Sequence, residues 1–130
     1  MEVKQISAAL GAEITNVDLA QVSDDQVQEI KSLLTEHKVI FFPGQKLSQD
    51  EHVEYGAKFG ELEGHPNLKN KTVTHPKIFE LAASSGGIAD EWHTDITFQD
   101  SPAIMSVLHM VKCPELGGDT MWSNLNAAYE

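Results

Sequence analysis

The stretch DEWHTDITFQD, residues 90–100, decides how the fold is interpreted, because it sets a histidine two residues from an aspartate among Trp, Thr, Ile and Phe. Such β-branched and aromatic residues favour an extended strand. Side chains alternate between the two faces of a strand, so His93 and Asp95 are expected on one polar face. The opposite face is expected to be mostly apolar and to carry Trp92, Thr94, Ile96 and Phe98.

An imidazole and a carboxylate on one face of a strand can bind a single small ion together. Their nitrogen and oxygen donors suit Fe(II), Zn(II) or Mn(II). One further histidine would complete a 2-His-1-carboxylate triad, which leaves positions open for a chelating cosubstrate and for O₂. The spacing alone also fits a solvated polar face on an edge strand.

The surrounding elements predict an α+β fold in a single domain spanning residues 1–130. Two helices are predicted, with Ser23 and Ser48 as their N-caps and with ends near His37 and Phe59. Each serine is followed three residues later by a Gln or Glu, as in a capping box. Gly60 is the predicted C-cap of the second helix. A last helix is predicted to begin after Ser123 or Asn124. Strands are expected within 3–19, with a break at Gly11, and at 39–42, 77–82, 92–98 and 103–111, and a turn into a short strand at 117–122.

Composition restricts the partners and the compartment. Twenty Asp and Glu against nine Lys, with no Arg, give a net charge of −11, which disfavours nucleic acid. No apolar run has the length of a membrane-spanning helix, so no membrane partner is expected. Cys113 is the only cysteine and cannot form an internal disulfide, which agrees with a cytoplasmic protein.

Five motifs together resemble the taurine dioxygenase (TauD/TfdA) family of Fe(II)- and 2-oxoglutarate-dependent oxygenases. These are WHTDITF followed by SP, GGDTMW near the end, and, further upstream, ALGAEITNVDL, HKVIFFPGQ and FGELEGHP. The resemblance covers essentially all 130 residues and corresponds to the N-terminal half of a longer family member.

This resemblance implies a double-stranded β-helix (jelly roll) with the two N-terminal helices flanking it, truncated before the C-terminal strands. The implied activity decarboxylates 2-oxoglutarate to succinate and CO₂ while O₂ hydroxylates a small organic anion. His93 and Asp95 are then iron ligands, and Thr120 contacts the 2-oxoglutarate carboxylate. His65 contacts the anionic group of the substrate, and Ile96 is an apolar residue of the substrate pocket.

The sequence departs from the family pattern at several positions. The distal histidine and the arginines that the family implies have no counterpart, so the chain is expected to hold half a site and to turn over poorly. Leu68 and Ala89 stand where taurine enzymes carry a tyrosine and an asparagine, which argues against taurine. Another sulfonate, an alkyl sulfate or a carboxylate is equally compatible.

Two other functions stay open at this point. One is a non-catalytic oligomerisation or interaction domain with a vestigial His-x-Asp pair, in which pairing into a homo-oligomer would cover unpaired strand edges. The other is a small zinc hydrolase that uses His93, Asp95 and His109, although no motif for a catalytic base accompanies them. Outside that hypothesis, His109 is interpreted as a partly buried structural residue.

Overall fold

A computed structural model describes residues 1–63, 75–82 and 89–130. This part of the chain combines a small three-stranded sheet with three α-helices, which confirms the α+β prediction. A short 3-10 helix, Leu19–Gln21, precedes the first α-helix. In chain order the elements are β1 (Glu2–Gln5), β2 (Ala12–Thr15), α1 (Asp24–His37), β3 (Ile40–Phe41), α2 (Gln49–Ala57) and α3 (Leu125–Tyr129).

Strand β2 lies at the centre of the sheet. It pairs with β1 in antiparallel register, with Gln5 opposite Ala12, and with β3 in parallel register, with Ala12 also opposite Ile40. The β1–β2 connection closes through Gly11, whose φ of +98° is unfavourable for other residues and whose carbonyl accepts from the Ile6 N–H at 3.0 Å. Helix α1 provides the crossover that a parallel β2–β3 pair requires.

Both long helices begin at the predicted serines. The hydroxyl of Ser23 accepts from the Gln26 N–H, and that of Ser48 accepts from the Glu51 N–H, and each helix completes the reciprocal bond of a capping box. Two hydrogen bonds to the Glu51 carboxylate lower its pKa: the bond from the Ser48 N–H contributes most, and the bond from the Ser48 hydroxyl contributes less. Both predicted caps are therefore confirmed.

Helix α2 ends earlier than predicted. Its last residue is Ala57 and its C-cap is Lys58, so the prediction of a helix reaching Phe59 with Gly60 as C-cap is wrong. The Lys58 N–H bonds to the Tyr55 carbonyl, and the Phe59 N–H bonds to that of Gly56. These bonds span three residues instead of four, so the chain tightens and leaves the α-helix.

The hydrophobic core lies between α1, α2 and the 3-10 helix. Tyr55 and Phe59 meet edge to face within it, at 5.1 Å between ring centroids. Met105 and Val107, from the distant segment 103–111, pack against it half-buried. The buried residues of this core are Leu19, Val22, Val27, Ile30, Tyr55 and Phe59.

The strands predicted after β3 are absent from the described residues. Segments 77–82, 92–98, 103–111 and 117–122 form no strand there, so these predictions are wrong. Within 92–98, Ile96 takes a φ of +41° and its carbonyl accepts from the Gln99 N–H at 3.2 Å, which turns the chain. A strand needs a hydrogen-bonded neighbour, and the described chain provides no ladder for these segments.

Segment 103–111 nevertheless keeps the period-two burial of a strand. Met105, Val107 and His109 are half-buried, whereas the residues between them are exposed. The exposed apolar residues of this segment include Ile104, Leu108 and Met110.

The last helix is confirmed, with Asn124 as its N-cap. The Asn124 Oδ1 accepts from the N–H groups of Asn126 and Ala127, and its Nδ2 donates to the Ala9 carbonyl at 2.7 Å. This bond attaches α3 to the β1–β2 turn. No helix in the described ranges is long and apolar enough to cross a membrane.

Replacing either capping serine by alanine is expected to destabilise the domain by about 1 kcal/mol, because one helical N–H loses its partner. Urea unfolding of Ser23→Ala and Ser48→Ala measures this cost. Ser32→Ala is the control, since Ser32 is exposed within α1 and donates only to the Gln28 carbonyl of the same helix. Equal unfolding midpoints for the cap variants and the control would contradict the capping role.

Burial raises the pKa of Tyr55 from 10.0 to about 12. A phenol with a raised folded-state pKa contributes full stability below pH 10 and loses it as the pH rises to about 12. The unfolding free energy of Tyr55→Phe is therefore expected to change less with pH, between pH 10 and about 12, than that of the wild type. Tyr129→Phe, at a residue that is 94% exposed, is the control. Identical curves for wild type and Tyr55→Phe would refute the prediction.

Candidate metal site

His93 and Asp95 lie side by side, as the sequence predicts, but on an irregular stretch that leads into a turn and not on a strand. The His93 Nε2 is 3.5 Å from the Asp95 Oδ1, and both side chains are more than half exposed. The two threonines that flank Asp95 and Ile96, Thr94 and Thr97, bond to each other through their hydroxyls at 2.5 Å. This hydrogen bond belongs to the turn that the chain makes around Ile96, directly after the pair.

The far atom of each side chain is held by a hydrogen bond. The His93 Nδ1 lies 2.8 Å from the Glu91 carbonyl, and a carbonyl only accepts, so Nδ1 carries the hydrogen. In the neutral imidazole the lone pair is then on Nε2. The Ser106 hydroxyl donates to the Asp95 Oδ2 at 3.0 Å, which leaves Oδ1 available. One free donor atom of each residue thus faces the other.

The separation of these donors fits joint binding of one divalent ion. Two ligands each about 2.1 Å from an ion lie about 3.0 Å apart at a right angle and about 3.4 Å apart at a tetrahedral angle. The observed 3.5 Å is close to this range and too long for a good hydrogen bond between the two groups. Hydrogen bonds to the outer atoms of metal ligands are the usual means of orienting them.

The charge around the pair also favours a cation. Residues 90–100 contain four carboxylates and no lysine. Such a concentration of negative charge raises the local concentration of cations.

Among the described residues, no group of three His, Cys, Asp or Glu side chains converges on one point. His109 does not join the pair: its ring lies edge to face with that of His52, at 5.7 Å between centroids. The His52 Nε2 in turn donates to the Val107 carbonyl at 3.0 Å. His109 therefore packs against α2, which gives no support to a zinc site built from His93, Asp95 and His109.

Thr120 lies in a different environment from the pair. It lines an open groove of about 850 Å³ between the β1–β2 turn, β3 and residues 120–128, which we name the indole groove because both tryptophans line it. Trp92 is in its wall, but His93 and Asp95 are not. Thr120 therefore shares a groove with Trp92, the neighbour of His93, and does not lie with the pair itself.

Ile96 and His65 are the two remaining residues of the predicted site. Ile96 directly follows Asp95 and is half-buried. His65 lies outside the described residues.

Sequence reasoning missed the groups that orient the pair. Ser106 is the only hydroxyl in the run AIMSVLHMV, whose other residues except His109 are apolar, and this polarity was the one available signal. No sequence pattern indicates the contact of His93 with the Glu91 carbonyl, because a backbone contact depends on how the chain turns. The contact of His52 with Val107 was missed for the same reason, since it joins residues 55 apart in sequence.

A family model described as "Taurine catabolism dioxygenase TauD, TfdA family" matches residues 2–130. An alkylsulfatase of Acinetobacter baylyi is 41% identical over 135 residues, which are 100% of this chain and 41% of that protein. An alpha-ketoglutarate-dependent sulfate ester dioxygenase of Pseudomonas putida is 38% identical over 132 residues, which are 100% of this chain and 44% of that protein.

Solved structures agree with this similarity. The crystal structure of a taurine dioxygenase from Burkholderia xenovorans superposes with a TM-score of 0.51 at 38% identity, over 58% of this chain and 27% of that one. The chain thus spans less than half the length of these relatives.

Removing the Ser106 hydroxyl is expected to weaken divalent-metal binding by about tenfold, because Asp95 loses the bond that orients it. Calorimetric titration of Ser106→Ala with Mn(II) measures the change, and Ser106→Thr should restore it. Ser101→Ala is the control for an exposed serine in the same region. Wild-type affinity in Ser106→Ala would show that the hydroxyl does not position the carboxylate.

Proposed function

Because the chain belongs to the TauD, TfdA family of dioxygenases, we propose that it carries two metal ligands of an Fe(II)- and 2-oxoglutarate-dependent oxygenase. The reaction hydroxylates a small organic anion: a sulfonate, a sulfate ester or a carboxylate. The observation that carries this proposal is the 3.5 Å approach of the His93 Nε2 to the Asp95 Oδ1, with the far atom of each side chain held by a hydrogen bond.

Each residue of the pair has a distinct part. His93 offers a neutral imidazole nitrogen, kept in the required tautomer by the Glu91 carbonyl. Asp95 offers one carboxylate oxygen, while Ser106 holds the other. When bound, Fe(II) supplies the redox chemistry that couples O₂ and 2-oxoglutarate to hydroxylation of the substrate.

The other predicted residues bind the organic molecules in this proposal. The Thr120 hydroxyl donates to a carboxylate oxygen of 2-oxoglutarate, and its exposed place in the wall of an open groove supports this role. His65 contacts the anionic head of the substrate. Ile96, half-buried next to the carboxylate ligand, contacts the apolar part of the substrate.

We further propose that residues 1–130 form one domain and the N-terminal part of a double-stranded β-helix. The alternating burial of segment 103–111 supports this architecture. Met105 and Val107 face the core, which leaves the opposite face, with Ile104 and Leu108, available to a further layer. In this arrangement the segment becomes a strand once a neighbouring strand pairs with it.

The isolated chain is expected to be a poor catalyst. No third side chain joins the pair within the described residues, and the sequence has no arginine to clamp a carboxylate by two bonds. Two ligands hold an ion more weakly than three do. Slow succinate formation from 2-oxoglutarate is therefore expected when the chain is supplied with Fe(II), O₂ and an alkyl sulfate, and rapid turnover would contradict this expectation.

A non-catalytic interaction domain is the less favoured function. The two relatives described above are named for enzymatic activities. The pair also keeps the hydrogen bonds that orient its donor atoms, although a vestigial site has no need of them.

Replacing His93 by alanine tests the metal site directly. Anaerobic calorimetry with Fe(II) is expected to show one site in the wild-type chain and an affinity at least about tenfold lower in His93→Ala, because half of the donor pair is removed. His75→Ala is the matched control, since His75 is a half-buried histidine whose Nδ1 accepts from a backbone N–H.

The outcome separates the two functions. A loss confined to His93→Ala supports the oxygenase site. Equal Fe(II) binding by wild type and His93→Ala would instead favour the interaction domain.

A further inference from the structure

A long-range hydrogen bond joins helix α2 to the segment that carries Ser106. The His52 Nε2 lies 3.0 Å from the Val107 carbonyl, and the two residues are 55 apart in sequence. A carbonyl only accepts, so Nε2 carries the hydrogen. His52 is half-buried and has no part in the oxygenase site proposed above.

His52 is held firmly on the α2 side of this bond. Its own N–H donates to the Ser48 carbonyl at 2.9 Å in the first turn of α2, where the capping box closes the helix. Tyr55, three residues later and therefore on the same side of the helix, is buried in the core. The His109 ring packs edge to face against that of His52. The imidazole thus starts from a fixed backbone and has a packed neighbour.

The bond from His52 fixes the register of segment 103–111, that is, which of its residues lie against α2. Among the described residues no backbone–backbone hydrogen bond reaches this segment. Met105 and Val107 pack against the core, but apolar contacts are not directional, so they set the depth of the segment more than its register. The bond from His52 is directional and ends on one particular carbonyl.

The register of this segment decides whether Ser106 reaches Asp95. Ser106 stands between two residues that pack against the core, and it donates to the Asp95 Oδ2 at 3.0 Å. A shift by one residue moves an extended chain about 3.3 Å and turns each side chain to the opposite face, so Ser106 would point into the core. A lengthening of roughly 0.6 Å is already enough to lose the bond to Asp95.

We propose that His52 is a positioning residue of the candidate metal site, which holds segment 103–111 in register so that Ser106 orients Asp95. This inference rests on the proposed function of the two metal ligands. His52 acts through the segment and not by contact with the ion. Because the side chains of both ligands are more than half exposed, holding them in place before the ion arrives contributes to the affinity.

Two amide substitutions separate the hydrogen bond from the shape of the ring. A Gln side chain places an amide nitrogen near the position of the His Nε2, whereas an Asn side chain is one methylene shorter and does not reach it. Calorimetry with Mn(II) is expected to show at least about threefold weaker binding in His52→Asn and an affinity within about twofold of wild type in His52→Gln. His75→Asn is the matched control at another half-buried histidine, whose Nδ1 accepts from the Lys77 N–H.

A double-mutant cycle distinguishes positioning through Ser106 from a general loss of structure. His52→Asn is combined with Ser106→Ala, which already lacks the hydroxyl that acts on Asp95. In that background His52→Asn should change the Mn(II) affinity by less than about 1.5-fold, because the route to Asp95 is already broken. Urea unfolding of each variant checks that a lower stability is not read as weaker binding. Equal losses in both backgrounds, or equal losses in His52→Asn and His52→Gln, overturn the inference.

A metal-free measurement keeps this inference separate from the oxygenase proposal. The carbon NMR resonance of the Asp95 carboxyl group reports its hydrogen bonding in the chain without any ion. His52→Asn is expected to shift this resonance in the same direction as Ser106→Ala does, and His52→Gln to leave it near its wild-type position. That pattern supports positioning of Asp95 by His52 even when the wild-type chain binds no Mn(II), a result that would count against the oxygenase site alone. A wild-type Asp95 resonance in His52→Asn overturns the inference, whatever the metal titrations show.

Discussion

The contact between segment 103–111 and the helical core is the constraint on which the candidate site depends. Met105 and Val107 pack against the core, and the Val107 carbonyl accepts from His52 of α2. Ser106, the residue between them, projects away from the core and donates to Asp95. Because alternate residues point in opposite directions, burying Met105 and Val107 fixes where the Ser106 hydroxyl lies. The helical core thus positions a carboxylate through a single serine.

This arrangement explains how an exposed turn can present ordered donor atoms. Residues 92–98 make no ladder within the described chain, so backbone pairing does not hold His93 and Asp95. Their orientation comes from the Glu91 carbonyl on one side and Ser106 on the other. Neither bond uses the donor atoms that face each other, so an ion can bind without breaking the network that orients its ligands. Trp92, which directly precedes His93, lines the indole groove, so an apolar wall begins next to a polar site.

Local patterns were sufficient to predict the elements whose stability is local. The capping serines, the apolar face of α1, the break at Gly11 and the Asn124 cap follow from interactions within a few residues, and the structure contains all of them. The later strands could not be predicted in the same way, because a strand exists only when another strand pairs with it. The approach of His93 to Asp95 was predicted from alternation along a strand, whereas residues 92–98 form no strand and the chain turns at Ile96, directly after the pair. Ser106 and the indole groove depend on tertiary contacts that a local pattern does not contain.

The most direct test of the central claim is an anaerobic crystal structure of the chain with Fe(II), located by its anomalous scattering. The account predicts one ion with the His93 Nε2 and the Asp95 Oδ1 both about 2.0–2.2 Å away, while Glu91 and Ser106 keep their hydrogen bonds to the outer atoms. An ion bound elsewhere, or bound to only one of the two side chains while the other points away, would contradict it.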